Sequence, residues 1–151
     1  MTIRAAEAAD VAGIVALFAA DTLGGHGDTT DPAAAPVYAA AFERIRARSG
    51  EKLFVVVGDG AVVGTAQLSL ITTLLHRGRT RALIEAVHVA PELRGRGVGA
   101  ALMRHLIAVA KAEGAGVVEL TSNKTRKDAH RFYERLGFAR SHEGFKLTLE
   151  A

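Results

Sequence analysis

The run Arg94-Gly95-Arg96-Gly97-Val98-Gly99 carries the densest chemical signal in the chain. It follows a β-branched stretch and precedes apolar residues at helical spacing, so it reads as a strand turning into a helix. The first turn of a helix leaves backbone N–H groups without partners, at the positive end of the helix dipole. Glycines allow an anion to approach that backbone, and arginines add charge-assisted donors. Arg94, Gly95, Arg96, Gly97, Val98, Gly99 and Ala100 are therefore expected to cradle a phosphate or pyrophosphate.

Three ligand readings compete for that cradle. A nucleoside triphosphate site calls for G-x-x-x-x-G-K-[ST], and neither the lysine nor the hydroxyl residue is present. Gly95-x-Gly97-x-x-Ala100, with Glu119 downstream, satisfies the relaxed dinucleotide pattern. That pattern belongs to the first βαβ unit of its fold, whereas about ninety residues of hairpin-like sequence precede it here. A glycine-rich helix start without any ligand is the remaining alternative.

The elements that must position this turn can be read from periodicity. Thr2-Ile3-Arg4-Ala5 reads as a strand, and Val11, Ile14, Val15, Leu17 and Phe18 fall at helical spacing. GGHGDTTDPAAAP is expected to be a loop before a second helix from about Val37 to Arg48. Leu53 to Val57 and Ala61 to Ile71 flank Gly58-Asp59-Gly60, which predicts an antiparallel hairpin. Arg81 to Ala90 is a further strand, and the Gly-rich turn then opens a helix to about Glu113. Val117 to Ser122 follows as a strand, which makes a right-handed βαβ unit with a parallel pair. A helix from about Arg126 to Leu136, ending at Gly137, precedes strands expected near Phe138 to Arg140 and Phe145 to Leu149. The fold class is mixed α/β (α+β): one domain over 1–151, six or seven largely antiparallel strands, and helices on both faces.

Composition narrows the function classes. A chain of 151 residues, 49% hydrophobic and 23% charged, suits a globular protein with one core. No apolar run is long enough to span a membrane, and the first residues do not read as a secretion signal. The chain has no cysteine, so disulfides, thiolate metal sites and a cysteine nucleophile are excluded, and a cytoplasmic location is expected. A formal charge of +3 with interleaved acidic residues argues against a nucleic-acid partner. His26 and its neighbouring aspartates have no established metal-ligand spacing, so no metal is expected.

R-G-R-G-V-G resembles the R/Q-x-x-G-x-G/A signature of the GNAT superfamily of acyl-CoA-dependent N-acetyltransferases, with Arg94, Gly97 and Gly99 in its defined places. The resemblance extends to the opening strand, the hairpin, EAVHVAPELRGRGVG and NKTRKDAHRFYERLGF. It implies that acetyl-CoA is the co-substrate, its pyrophosphate on Arg94 to Ala100 and its pantetheine arm along the strand carrying Val87, His88 and Val89. Asn123 matches a position that bonds the arm or an ordered water, its alternative being an Asx turn. Asp128 and Phe132 match the CoA-facing start of the next helix.

Acyl transfer to an amine needs a group that removes a proton from nitrogen and one that returns a proton to sulfur. The resemblance assigns the acid to Tyr133, whose phenol, with a pKa of about 10, is protonated at neutral pH. Glu85 is the first candidate base, because ideal alternation sets it on one face with Leu83 and Val87, where apolar surroundings would raise its pKa. His88 points to the opposite face by the same alternation, unless a β-bulge re-aims it.

LSLITTLLHRG and TSNKTRKDAHRFYERLGFARSHEGF are most similar to small-amine members that act on aminoalkylphosphonates or aminoglycosides. The resemblance thus implies a small-molecule primary amine as acceptor. An aminoglycoside, a peptide or protein amine, and a non-catalytic acyl-CoA sensor are the alternatives. His26, Asp28, Asp31, His76 and Arg77 are candidates to line the acceptor site. A homodimer would accord with Phe138, Phe145, Leu147 and Leu149.

Overall fold

Asp59 and Gly60 both take positive φ, 51° and 76°, between Gly58 and Ala61, which face one another across two strands. Two left-handed central residues make the tight turn whose twist matches a right-twisted hairpin. The turn joins β2 (Glu51–Gly58) to β3 (Ala61–Thr72). β1 (Thr2–Ala5) pairs with β2, and β4 (Thr80–Val89) pairs with β3, all antiparallel. β5 (Val117–Leu120) lies beyond β4 and forms the parallel pair, in the order β1-β2-β3-β4-β5.

This computed structural model describes residues 1–21 and 27–150. The chain divides into two compact units, Met1–Glu119 and Leu120–Ala151. His26 lies outside the described residues.

In the first unit, ladder register decides which side chains share a face, since directly opposed residues point the same way. Phe54, Ala66, Leu68, Ile84 and Val56 form one apolar face, each at most 7% exposed. Helix α4 (Val98–Ala112) covers it with Val98, Leu102, Met103, Leu106 and Ala110, and Phe54 meets the His105 ring edge-on at 5.2 Å. The opposite face carries Val55, Thr65, Gln67 and Ser69. Helices α1 (Val11–Ala20) and α2 (Ala35–Arg46) pack there, Phe18 meeting His88 and α2 residues lining a cleft with Glu51 and Gln67. Between β3 and β4 lies the single turn α3 (Leu75–Gly78), whose His76, Arg77 and Gly78 all have positive φ.

The second unit is built on helix α5 (Lys127–Arg135). Gly137, at φ 100°, closes it: Gly137 N–H donates to Glu134 O (3.0 Å) and Phe138 N–H to Tyr133 O (3.1 Å). The Phe138 ring packs edge-on at 6.1 Å from Tyr133, the apolar contact that accompanies such a cap.

That cap corrects one expectation. Phe138 is used in terminating a helix and does not begin a strand, and Phe145 to Leu149 has no strand partner in the described chain, so the sheet has five strands rather than six or seven. Alternation supplies a strand's side-chain pattern, but a strand exists only with a ladder to join.

Candidate functional site

The backbone leading into α4 alternates between extended and left-handed residues. Arg94 is extended (φ −64°, ψ 144°), while Gly95 (φ 78°) and Gly97 (φ 81°) are left-handed, Gly97 serving as N-cap. The Ala101 N–H donates to Gly97 O at 3.0 Å. The N–H groups of Val98, Gly99 and Ala100 therefore have no intrahelical acceptor. A Cβ placed on Gly95 or Gly97 would meet nothing within 4 Å, so open space lies where these glycines face outward. Arg94 and Arg96 are exposed and make no ion pair among the described residues. Backbone donors, a fifteen-residue helix dipole and two uncommitted guanidinium groups together match the chemistry of a pyrophosphate.

β4 reaches this turn through an irregularity. Glu85 opposes Gln67 and His88 opposes Thr65, so Ala86 and Val87 together face the single residue Ala66. This is a β-bulge, and Ala86 takes φ 54° to make it, a left-handed state that an alanine adopts only at some cost. The bulge shifts the alternation by one residue. Glu85 and His88 consequently share the face covered by α1 and α2, and Val89, opposite Gly64, joins the α4 face. Regular alternation would have set Glu85 and His88 on opposite faces.

Glu85 keeps the face it shares with Leu83 but is exposed, so the apolar setting expected for it is not found, and Val87 has been displaced by the bulge. His88 is nearly buried. Its Nε2 lies 3.2 Å from Asp21 Oδ2, its Nδ1 lies 3.2 Å from Ala86 O, and the Phe18 ring meets it edge-on at 4.9 Å. The side chains of His88 and Asp21 are 11% and 5% exposed. Sequence reasoning missed this pair, which joins positions 67 apart, and the equally long-range Phe18 contact. An acidic residue closing an apolar helix was the one signal available.

The second unit contains the other expected site residues. Asn123 Oδ1 accepts from the Thr125 N–H (3.0 Å) and hydroxyl (2.7 Å), which is an Asx turn. Asp128 pairs with Arg131 on the exposed side of α5. Phe132 is half-buried, its ring 5.2 Å from that of Tyr133. Burial pushes the Tyr133 phenol above its ordinary pKa, with the positive charge of Arg126 opposing, so the group holds its proton firmly. Glu85, Val87 to Val89 and Arg94 to Ala100 thus assemble in the first unit, and Asn123, Asp128, Phe132 and Tyr133 in the second.

Of the acceptor-loop candidates, Asp28 accepts from the Tyr38 hydroxyl (2.7 Å) and Asp31 caps a helical turn through Ala33 N–H (3.0 Å). Both hydrogen bonds hold the start of α2 and the loop before it together. Among the described residues no cluster of three or more His, Asp or Glu is placed to hold a metal, and no helix is long and apolar enough to cross a membrane.

Residues 13–138 match the model of the acetyltransferase (GNAT) family. Over 91 residues the chain is 37% identical to an aminoalkylphosphonate N-acetyltransferase of Salmonella typhimurium, covering 60% of this chain and 58% of that protein. It is also 37% identical to the glucosamine 6-phosphate N-acetyltransferase of Trypanosoma brucei brucei, covering 66% of each. The matched parts are therefore less than the full length of these curated relatives. A crystal structure from Bacillus halodurans C-125, described as a transcriptional regulator, superposes with a TM-score of 0.94 at 36% identity, covering 98% of this chain and 99% of that one.

Proposed function

Because the chain belongs to the GNAT family of acetyltransferases, we propose that it moves an acetyl group from acetyl-CoA to a primary amine of a small molecule by direct attack in a ternary complex. The observation that carries this reading is the left-handed Gly95 and Gly97 turn, which opens α4 between two arginines free of carboxylate partners. Arg94 to Ala100 would hold the pyrophosphate, and the backbone of Val87, His88 and Val89 the pantetheine arm. The family resemblance adds Asn123, Asp128 and Phe132 as further cofactor-binding candidates. When bound, acetyl-CoA supplies an activated carbonyl and a thiolate leaving group.

In the transfer a C–N bond forms, a C–S bond breaks, and one proton passes overall from nitrogen to sulfur. Both ring nitrogens of His88 already face oxygen partners, so the exposed carboxylate of Glu85 is the better proton acceptor, acting through a water. Tyr133 keeps its proton at neutral pH and serves as the donor to sulfur. The likeness to an aminoalkylphosphonate N-acetyltransferase supports a small amine as acceptor. Titration calorimetry with acetyl-CoA, followed by thiol release across an amine panel, tests the proposal. Failure to bind at millimolar cofactor would overturn it.

A second reading is a non-catalytic acyl-CoA sensor, favoured by the likeness to a protein described as a transcriptional regulator. Cofactor binding without thiol release over the whole panel would select it.

A further inference from the structure

The last turn of α2 and the residues just after it carry three arginines, of which the fold employs one. Arg46 pairs with Glu43 at 2.6 Å and lies over the Phe42 ring at 5.6 Å. Arg44 and Arg48 are exposed, and their side chains have no carboxylate or other hydrogen-bonding partner among the described residues. A helix C-terminus favours a cation, but two like charges four residues apart repel one another. Both arginines line one cleft of about 290 Å³ in the first unit, together with Ala41, Ile45, Glu51 and Gln67.

The cleft has two unlike sides. On the sheet, Glu51 Oε2 accepts from Gln67 Nε2 (3.1 Å) and from the Ser69 hydroxyl (2.7 Å), so its carboxylate is held against β3 and not by an arginine. On the helix side stand the two guanidinium groups. Gln67 is also the residue directly opposite Glu85 on β4, and side chains so opposed have Cβ atoms about 5 Å apart. The cleft therefore begins one residue from the carboxylate given the role of proton acceptor.

Given the transfer to an amine proposed above, we infer that this cleft is the acceptor subsite and that the acceptor is a short amine that also carries an oxyanion. Arg44 and Arg48 take the oxyanion, while Glu51 and Gln67 draw the ammonium end toward Glu85. Guanidinium groups bind carboxylate, phosphate and phosphonate oxygens alike through paired N–H donors. A plain alkylamine would leave both arginines unpaired, and a polyamine would be repelled by them.

Thiol release from acetyl-CoA with matched acceptors tests this: a terminal alkylamine, the same chain ending in a carboxylate, and the same chain ending in a phosphonate. The better oxyanion-bearing acceptor should exceed the alkylamine in kcat/KM by roughly a hundredfold, mainly through KM. Arg44→Gln and Arg48→Gln should each cut that ratio by roughly tenfold. Arg46→Gln, on the same helix but outside the cleft, should leave the ratio within about twofold. Equal kcat/KM across the set, or a ratio that survives the double substitution of Arg44 and Arg48, overturns the subsite and leaves the transferase reading standing. If no acceptor releases thiol, calorimetry of the phosphonate-ended and carboxylate-ended amines on the protein saturated with CoA decides. Binding that Arg44→Gln weakens roughly tenfold upholds the subsite, and no binding at millimolar concentration overturns it. Failure of acetyl-CoA itself to bind removes the transferase reading and the acceptor subsite with it.

Discussion

Nε2 of His88 and Oδ2 of Asp21 lie 3.2 Å apart, tying the bulge of β4 to the C-cap of α1. Both side chains are nearly removed from water, so truncating one leaves the other with a partner missing. Asp21→Ala should lower the unfolding free energy by about 1–3 kcal/mol in urea denaturation. A loss below about 0.5 kcal/mol would show that the contact adds nothing.

Gly97 separates folding from binding in a single substitution. Its φ of 81° penalises any Cβ, yet the space around it is empty. Gly97→Ala should therefore cost about 1 kcal/mol of stability from backbone conformation alone. Its methyl group would project toward the approaching pyrophosphate, and calorimetry should show acetyl-CoA affinity falling by roughly tenfold. Unchanged affinity would remove this turn from the cofactor site.

Tyr133→Phe removes the phenolic hydroxyl and little else, because the ring remains to pack against Phe132 and Phe138. Turnover should fall by roughly a hundredfold with acetyl-CoA affinity nearly intact. Since burial raises the phenol's pKa, the wild-type rate should not decline from loss of this proton until the pH exceeds about 10. Unchanged turnover in the variant would exclude Tyr133 from the chemistry.

Acid sensitivity should centre on Asp10. Its carboxylate accepts from Arg4 Nη1 (2.7 Å) and Nη2 (3.0 Å) and from the Glu7 N–H (2.7 Å). The Arg4 hydrogen bonds are the main cause holding its pKa below the ordinary value, against a desolvation effect of opposite sign. A depressed folded pKa gives stability that is present above the ordinary carboxylate range and is lost as the pH falls through the depressed value. Chemical denaturation between pH 6 and 2 should show a steeper decline for wild type than for Asp10→Asn. Parallel profiles would mean that other carboxylates govern the acid limb.

Features written in local chemistry were legible in the sequence. Asp59-Gly60 predicts its own turn, Gly137 its helix end, and the Arg94 to Gly99 run its helix start, because each depends on backbone preferences within a few residues. The βαβ order and the apolar stripe of α4 followed from periodicity. Two kinds of feature were not legible. The left-handed state of Ala86 carries no residue signature, since a glycine or asparagine would announce it and an alanine does not. The surroundings of Glu85 and the Asp21 contact depend on where α1 crosses the sheet, which no local pattern states. The expected C-terminal strands show the converse limit, a pattern that is present without the neighbour it requires.

The bulge at Ala86 and Val87 gives β4 one place where its length can change without exchanging its faces. Removing either residue would restore a regular ladder, so the local pairing would improve. His88 would stay opposite Thr65 beneath α1 and Val89 opposite Gly64 beneath α4, because only the extra residue is lost. Insertions in the Gly58 to Gly60 turn lengthen a surface connection and leave both faces of the sheet as they are. A one-residue deletion elsewhere in β4, with the bulge kept, instead exchanges the two sides of the sheet for every residue between it and the turn, converting a well-formed strand into a misdirected site.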